Sequence, residues 1–187
     1  MSESSDIQQR LGRLEQEVAG LLALREIEDV LTRYSRALDW LDDAMLETVF
    51  YDDAEIDYGF FQGNGREFKP LLMQVERSVG RRWHFTAQVK IALDGDSAEV
   101  ESYNLSMAAE PVRPDPPAEF DQFFGFYADR LLRRNGRWGI IRRRHLLLTA
   151  AKVRESRLEG PFALLNAIGP TSPQHPDYRR LSRATAL

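Results

Sequence analysis

Residues Leu24–Tyr58 read LREIEDVLTRYSRALDWLDDAMLETVFYDDAEIDY, and this stretch decides how the rest of the chain can fold. Apolar side chains recur every three or four positions through its first half, which is typical of an amphipathic helix that buries one face in a core. The helix is predicted to end near Asp39, because Trp40 and Leu41 break the pattern. Its buried stripe is expected to comprise Ile27, Val30, Leu31, Tyr34 and Leu38.

The segment after Asp39 predicts a second helix and then a strand. Asp42 suits an N-cap and Asp43 a first-turn acid, while AEIDYGFF, which begins at Ala54, favours a strand. Asp39 itself would lie at the C-terminus of the first helix, where the macrodipole is negative. Because a negative field disfavours a carboxylate, the pKa of Asp39 is expected to be raised, which makes it a stronger base than a surface aspartate.

The composition is that of an ordinary globular protein. With 187 residues, 43% hydrophobic residues and a net charge of −4, the chain fits one domain and has no basic excess that would favour nucleic acid. The absence of cysteine excludes disulfides, thiolate catalysis and a cysteine-based metal site. No apolar segment approaches the roughly 18 residues of a membrane span, and no signal peptide is recognisable, so we expect a cytoplasmic protein with no membrane partner.

Two further helices are predicted on either side of the central stretch. Between Ile7 and Leu24, apolar residues recur at spacings of three and four, which predicts a helix with one apolar face. That face must pack against another element or another subunit. Packing against its own domain is the favoured interpretation, with some contribution to assembly. Residues Arg66–Val79 carry a similar amphipathic pattern.

The next segment, RWHFTAQVKIAL, changes its apolar period from 3.6 to 2 and indicates a strand. Its apolar side chains, from Trp83 onward at every second position, would share one face. A turn at residues 94–96 would lead back into the strand Ser97–Ala109 and place His84, Asn104 and Ser106 together on the other face. A bulge would change this register.

A second hairpin is predicted from Phe120–Leu132 and Arg137–Thr149, joined by Asn135-Gly136. EPVRPDPPA, at residues 110–118, contains four prolines and is expected to be a loop. Helices first and antiparallel strands after predict an α+β domain in which a strongly bent sheet wraps the helices. That domain is expected to span residues 1–159, and residues 160–187 are expected to form a tail that covers the cavity mouth as a lid.

The run DDAEIDYG, preceded by a helix that ends in an acid and by a second helix, resembles the SnoaL-like enzymes of the nuclear-transport-factor-two-like superfamily. Within it the chain looks most similar to scytalone dehydratase and the bile-acid dehydratases, from Gln9 to Tyr178. The resemblance implies a cone-shaped fold, in which N-terminal helices pack in a strongly curved antiparallel sheet. It also implies chemistry without a cofactor and a homo-oligomer, dimer or trimer, with sheet backs and terminal segments at the interfaces.

The same resemblance picks out candidate site residues. By position, His84 falls on the strand histidine that is the general base and acid of these dehydratases, and Asp39 on the aspartate that holds it. Tyr34 and Tyr58 fall on pocket tyrosines that would bind substrate oxygens. Asn104 stands where scytalone dehydratase has a second histidine. An amide donates a hydrogen bond but cannot shuttle a proton, so a two-histidine elimination does not follow.

Several of these residues also have a structural interpretation. A lone strand histidine such as His84 is more often a satisfied structural residue than a catalyst. Both tyrosines also fit a packed core, and for Tyr58 the structural and the functional interpretation are balanced. The run Arg142–Arg144 before His145 is most simply explained by a salt-bridged outer sheet face with Asp129 and Glu119, although one arginine could point inward. No HxH, HxxxH or HExxH spacing occurs, so no metal site is predicted.

These features predict a cofactor-free lyase, of the dehydratase or carbon–carbon type, or an isomerase that acts on a small cyclic or aromatic molecule. Release of formaldehyde from lignin-derived diaryl compounds is a neighbouring alternative on similar folds. A different class is a non-catalytic small subunit of a ring-hydroxylating dioxygenase, or a small-molecule binding module. Aromatic residues of the strand segments are expected to line the apolar cavity: Phe60, Phe61, Trp83, Phe85, Phe120, Phe123, Phe124 and Phe126.

Overall fold

The computed structural model describes residues 3–109, 119–156, 158–166, 168–179 and 181. The loop predicted at residues 110–118 therefore lies outside the described residues. In chain order the elements are α1 (Glu3–Trp40), α2 (Asp43–Leu46), β1 (Phe50–Asp57), β2 (Gln62–Asn64), α3 (Gly65–Ser78), β3 (Arg81–Asp94), β4 (Ser97–Ala109), β5 (Glu119–Arg134), β6 (Arg137–Arg154) and a 3₁₀ helix at Gly160–Leu164.

The strands form one curved sheet in the order β2-β1-β6-β5-β4-β3, and the helices pack against one of its faces. The α+β prediction, with N-terminal helices held in a strongly curved sheet, is confirmed. The sheet is mixed rather than wholly antiparallel, because β1 and β6 run parallel, with Ile56 beside Arg143. β1 enters the sheet from a helix and not from a hairpin with β6, so nothing local forces the two strands into opposite directions.

The helix α1 joins the two helices predicted on either side of Leu24 into one element of 38 residues. Its C-terminal half buries every residue of the predicted stripe and ends at Trp40, as the pattern indicated. Packing of the N-terminal half on its own domain was the wrong expectation, because its large apolar side chains from Ile7 to Leu22 are more than half exposed. Among the described residues, no helix combines the length and the hydrophobicity that a membrane span requires.

The register of the first hairpin places His84 opposite Ser106, on the shared face that was predicted. The turn and the strand that produce this register differ from the prediction. The turn has two residues rather than three, so Asp94 pairs with Ser97. That difference alone would move every partner along the hairpin by one position. A bulge in β3 restores the predicted pairing at His84.

The bulge lies between Ala87 and Lys90, where Gln88 adopts a left-handed φ of 50°. The extra residue interrupts the alternation of side chains along the strand. Odd-numbered residues before the bulge therefore lie on one face of the sheet, and odd-numbered residues after it lie on the other. Val89, Ile91 and Leu93 pack against the core, whereas Trp83 and Phe85 lie on the outer face and are 47% and 49% exposed. The expectation that all these apolar residues share one face is therefore wrong. The bulge lets His84 and Thr86 face α1 instead.

In the second hairpin, Asn135 and Gly136 both have positive φ, at 52° and 74°, which matches the predicted two-residue turn. The arginine run that follows does not lie wholly on the outer face. Arg143 is buried and forms a paired contact with the carboxylate of Asp129, with N–O distances of 2.7 and 2.5 Å. The correct partner was identified, but the pair lies in the core. Strand alternation leaves only Arg142 and Arg144 outside.

Candidate active site

A cavity of about 570 Å³ lies between α1, α3 and the inner face of strands β3–β6. A volume of this size suits a small cyclic molecule, and most of the wall is apolar. Of the aromatic residues expected to line it, Phe60 and Phe123 do so, whereas the other six do not. Polar side chains converge on the cavity from several elements: Tyr34, Tyr58, Glu76, His84, Asn104, Ser106, Tyr127 and His145.

Asp39 and His84 meet at one wall of this cavity. His84 Nδ1 lies 2.9 Å from Asp39 Oδ1, so the ring donates this hydrogen and leaves Nε2 directed toward the cavity. A hydrogen bond of 3.1 Å between Ser35 and Thr86 fixes the helix against the strand beside the pair. Burial raises the pKa of Asp39, while its hydrogen bond with His84 opposes that rise. The direction is the one predicted, but burial rather than the helix dipole accounts for it.

Glu76 is a third titratable group at this site, and sequence reasoning missed it. Its Oε1 lies 3.5 Å from His84 Nε2, so two carboxylates flank the imidazole. Burial raises the pKa of Glu76, and the nearby His84 and Arg82 partly offset that rise. A signal was present, since Glu76 follows Leu72 by four positions on the buried face of α3. Among the described residues, no group of three or more His, Asp or Glu side chains is arranged to hold a metal ion.

Three tyrosine hydroxyls meet in the cavity close to the pair, since the ring centre of Tyr34 lies 6.4 Å from that of His84. Tyr34 and Tyr58, both predicted, share a hydrogen bond, and Tyr58 donates to Tyr127 at 3.2 Å. Burial raises the pKa of all three phenols, so they are protonated near neutral pH and can donate to a ligand oxygen. Sequence reasoning missed Tyr127, although it alternates with Asp129 and Leu131 on the buried face of β5.

Two charged or titratable groups support the tyrosine cluster. The guanidinium of Arg143 lies 4.2 Å from the ring centre of Tyr34 and 4.1 Å from that of Tyr127. His145 stacks on Tyr58 with ring centres 4.8 Å apart. Burial and the positive charge of Arg143 lower the pKa of His145, which keeps this imidazole neutral near pH 7.

Asn104 lies next to this polar ring, opposite Thr86 in the hairpin. Its side chain is buried, and within the described part of the chain its Oδ1 has no hydrogen-bond partner. An unsatisfied buried amide is costly, so a ligand group that fills this position would be favoured. Because the two ends of the amide exchange by rotation, Asn104 can accept from a hydroxyl or donate to a carbonyl.

The tail after β6 returns to the end of α1. His175 and Tyr178 pack on Trp40 with ring centres 5.6 and 5.4 Å apart, and Tyr178 donates a hydrogen bond to Asp42. Arg82 donates to Thr171 at 3.1 Å. None of the described tail residues lines the cavity, although they anchor beside Asp39.

Replacing Glu76 by glutamine is expected to change how stability depends on pH. Because the folded pKa of Glu76 is raised, its contribution is fully present below the unfolded value of about 4.3 and is lost as pH rises through the folded value. Glutamine resembles the protonated acid and does not incur that loss. The Tm of Glu76→Gln relative to the wild type should therefore increase from about pH 4 to about pH 8 in calorimetric scans. A relative Tm that falls over this range would contradict the burial argument.

The chain is similar to known proteins both in its sequence family and in its fold. A family model described as a SnoaL-like domain matches residues 19–144. No curated protein sequence matches the chain significantly. Among solved structures, a candidate scytalone dehydratase from Novosphingobium aromaticivorans has 21% identity over 79% of this chain and 97% of that chain, with a TM-score of 0.62.

Two other solved structures share the fold at low sequence identity. The hexachlorocyclohexane dehydrochlorinase LinA-type3 from Novosphingobium barchaimii has 15% identity over 78% of this chain and 99% of that chain, with a TM-score of 0.64. The Kfla4162 protein from Kribbella flavida has 17% identity over 68% and 91%, with a TM-score of 0.61. At these identities the structures demonstrate a shared fold.

Proposed function

The chain belongs to the SnoaL-like domain family, and we propose that it is a cofactor-independent lyase or isomerase of small cyclic or aromatic compounds. The observation that carries this proposal is the Asp39–His84 pair, which presents His84 Nε2, 3.5 Å from Glu76 Oε1, to a largely apolar cavity. A neutral imidazole accepts a proton near pH 7, and a carboxylate behind it fixes the tautomer. The family relationship supports lyase chemistry at this coarse level.

The first step assigned to this site is removal of a proton from a carbon next to a carbonyl. His84 Nε2 takes the proton, and Asp39 stabilises the imidazolium that forms. The carbonyl oxygen gains negative charge as the proton leaves. We assign the protonated cluster of Tyr34, Tyr58 and Tyr127 to that oxygen. Two of its three hydroxyl hydrogens are used within the cluster, so one O–H would donate to the oxygen and the other two would polarise that donor.

The second step is expulsion of a leaving group, for which we assign Glu76 as the acid. A protonated Glu76 gives its proton to a departing hydroxyl, so that water leaves and a carbon–carbon double bond forms. The imidazolium of His84 then returns the abstracted proton to the Glu76 carboxylate across their 3.5 Å separation, which restores both groups. This carboxyl would take the role that a second histidine has in scytalone dehydratase, where this chain has Asn104.

Substrate oxygens other than the reacting carbonyl would bind on the β4 side. Asn104 has an unsatisfied amide atom there, and the Ser106 hydroxyl lines the same wall. A substrate with a ring hydroxyl or a second carbonyl at that distance would satisfy both. We therefore favour an oxygenated cyclic or aromatic compound over a plain hydrocarbon.

The experiment is a survey of oxygenated cyclic ketones incubated with the purified protein without added cofactor. Loss of water, detected by mass spectrometry, identifies a dehydratase, and formaldehyde identifies carbon–carbon cleavage. A product of unchanged mass but altered retention identifies an isomerase. Binding without turnover would instead support a binding module, and co-purification of a large iron-sulfur subunit would support the dioxygenase accessory role.

We also propose that the protein is a homo-oligomer, dimer or trimer, assembled through the outer face of the sheet. Adjacent strands β3–β6 carry a continuous apolar patch there, which includes stacked and edge-on aromatic pairs. Patches of this kind on a soluble protein mark contact surfaces. The patch comprises Trp83, Phe85, Tyr103, Leu105, Phe124, Phe126 and Leu146.

We further propose that the tail, residues 160–187, is a lid that covers the mouth of the cavity. Phe162, in the 3₁₀ helix, and Leu165, just after it, are exposed, although the tail is anchored beside Asp39 through Trp40. Replacing both exposed residues by serine should lower kcat/KM by about tenfold, equivalent to roughly 1.4 kcal/mol, because the closed lid would then lack apolar side chains to contact bound substrate. Since the two side chains are exposed in the free protein, Tm should not change. An unaltered kcat/KM would remove the lid from the account.

A further inference from the structure

The N-terminal half of α1 extends from the domain as an arm, which we define as residues 4–22. Five of its six large apolar residues form one stripe, and each of the five is between 53% and 66% exposed. The sixth, Leu22, is 52% exposed and lies directly beside the stripe. No other described element covers this stripe. The stripe comprises Ile7, Leu11, Leu14, Val18 and Leu21.

The spacing of the stripe is that of a heptad repeat. Successive intervals are four, three, four and three residues, which places Ile7, Leu14 and Leu21 at d positions and Leu11 and Val18 at a positions. A stripe of strict a and d positions is narrower than the face that a helix buries in a globular core. It is the seam that meets a second helix of the same kind.

The charges of the arm do not favour a lipid surface. Helices that lie on membranes carry an excess of lysine and arginine on their polar face. Residues 4–22 have three acidic side chains and two basic ones, so the arm is net acidic. The acids are Asp6, Glu15 and Glu17, and the bases are Arg10 and Arg13.

We propose that the arm pairs with the arm of a second copy of this chain as a parallel, in-register, two-stranded coiled coil. In that arrangement Arg10, at a g position, faces Glu15 of the partner subunit, at the following e position, and the reverse contact is equivalent. An antiparallel pair centred on Leu14 would bring Arg10 near Glu17 of the partner subunit, but it would also place Glu15 opposite its own copy. Like charges directly opposite oppose that orientation.

The seam is short, but the arm does not have to fold by itself. From Ala23 onward α1 is held in the core, so the helix is already nucleated where the arm begins. Contact between the domains of two copies would also raise the effective concentration of the arms. Two and a half heptads can therefore contribute to assembly although such a peptide would be marginal in isolation.

The test uses disulfide trapping in the full chain, which contains no cysteine of its own. Under mild oxidation, Ile7→Cys at a d position should form a covalent dimer at least tenfold faster than Gln9→Cys, the matched control on the opposite side of the helix. In a mixture of Ile7→Cys with Leu21→Cys, cross-links between the two variants should be rare. The two positions are about 21 Å apart along a parallel pair.

Equal rates for Ile7→Cys and Gln9→Cys, or preferential cross-linking between positions 7 and 21, would overturn the proposal. A second measurement does not depend on oxidation. Leu14→Asp should weaken self-association at least tenfold in sedimentation equilibrium, while near-UV circular dichroism shows that the domain stays folded, since the side chain is exposed in the single copy. An unchanged mass, or a monomeric wild type that floats with phosphatidylserine vesicles, would contradict the paired arm.

Discussion

Replacing His84 by alanine is expected to lower turnover on the true substrate by ~10²–10⁴-fold, the usual contribution of a general acid–base group. Asp39→Asn should lower it by a similar factor, because the amide keeps the shape of the carboxylate but cannot stabilise the imidazolium. The two residues act as one unit, so the double variant should be little worse than the worse single variant. Steady-state kinetics on the three variants measures this directly.

The control for this prediction is ligand binding. Both variants should remain folded and should still bind substrate, since the tyrosine hydroxyls and the apolar walls of the cavity are retained in them. If His84→Ala turned over at a rate near that of the wild type, the mechanism would be wrong. His145, the other imidazole in the cavity, would then be the base to test.

Replacing Arg143 by methionine is expected to destabilise the protein by ~3–5 kcal/mol, because it leaves the buried Asp129 carboxylate without its partner. Burial alone would lower the pKa of Arg143, but the Asp129 carboxylate outweighs burial and keeps the guanidinium charged. The variant also removes the cation that lies over the rings of Tyr34 and Tyr127. Urea denaturation gives the free energy of unfolding for the comparison.

The matched control removes both charges together. Arg143→Met/Asp129→Leu should recover a large part of the lost free energy, because no buried charge remains unpaired. A loss below roughly 1 kcal/mol for Arg143→Met would mean that solvent reaches the pair, as is typical of surface ion pairs. The buried environment assigned to the tyrosines would then also be incorrect.

The parts of the fold that the sequence predicts well are those encoded locally. The stripe from Ile27 to Leu38 follows helical periodicity, and Asp42 accepts a hydrogen bond from Met45 as an N-cap should. The turn at Asn135-Gly136 needs positive φ at both positions, which these two residues adopt readily. Each signal lies within a few residues of the structure it specifies.

The errors arise where one residue changes a long-range relationship. Glutamine is not a residue type that indicates a bulge, yet the bulge with positive φ at Gln88 places Trp83 and Phe85 on the outer face of the sheet. Alternation along β6 requires one of the arginines to point inward, but only its pairing with β5 selects Arg143 and places it beside Asp129. The parallel pairing of β1 with β6 is likewise not encoded near either strand.

The candidate site divides in the same way. The resemblance to a family, together with strand alternation, predicted His84 and Asp39 as a pair. The two side chains lie within hydrogen-bonding distance of each other. Glu76 carried a signal as a carboxylate on an apolar helix face, but nothing in the sequence placed α3 over β3. Tyr127 depended on the register of β5 with its neighbours, which local patterns do not determine.

The central claim, that His84 removes a proton next to a carbonyl, is tested most directly by isotope exchange rather than by product formation. The bicyclic aromatic ketone 1-tetralone, which has no leaving group, is incubated in D₂O with the wild type or with His84→Ala. NMR follows the uptake of deuterium at the carbon beside the carbonyl, and chemical-shift changes establish that the ketone is bound. The wild type should accelerate exchange over buffer at least 100-fold, and His84→Ala should abolish that acceleration. A bound ketone that exchanges no faster than in buffer, or equally fast with both proteins, would contradict the account.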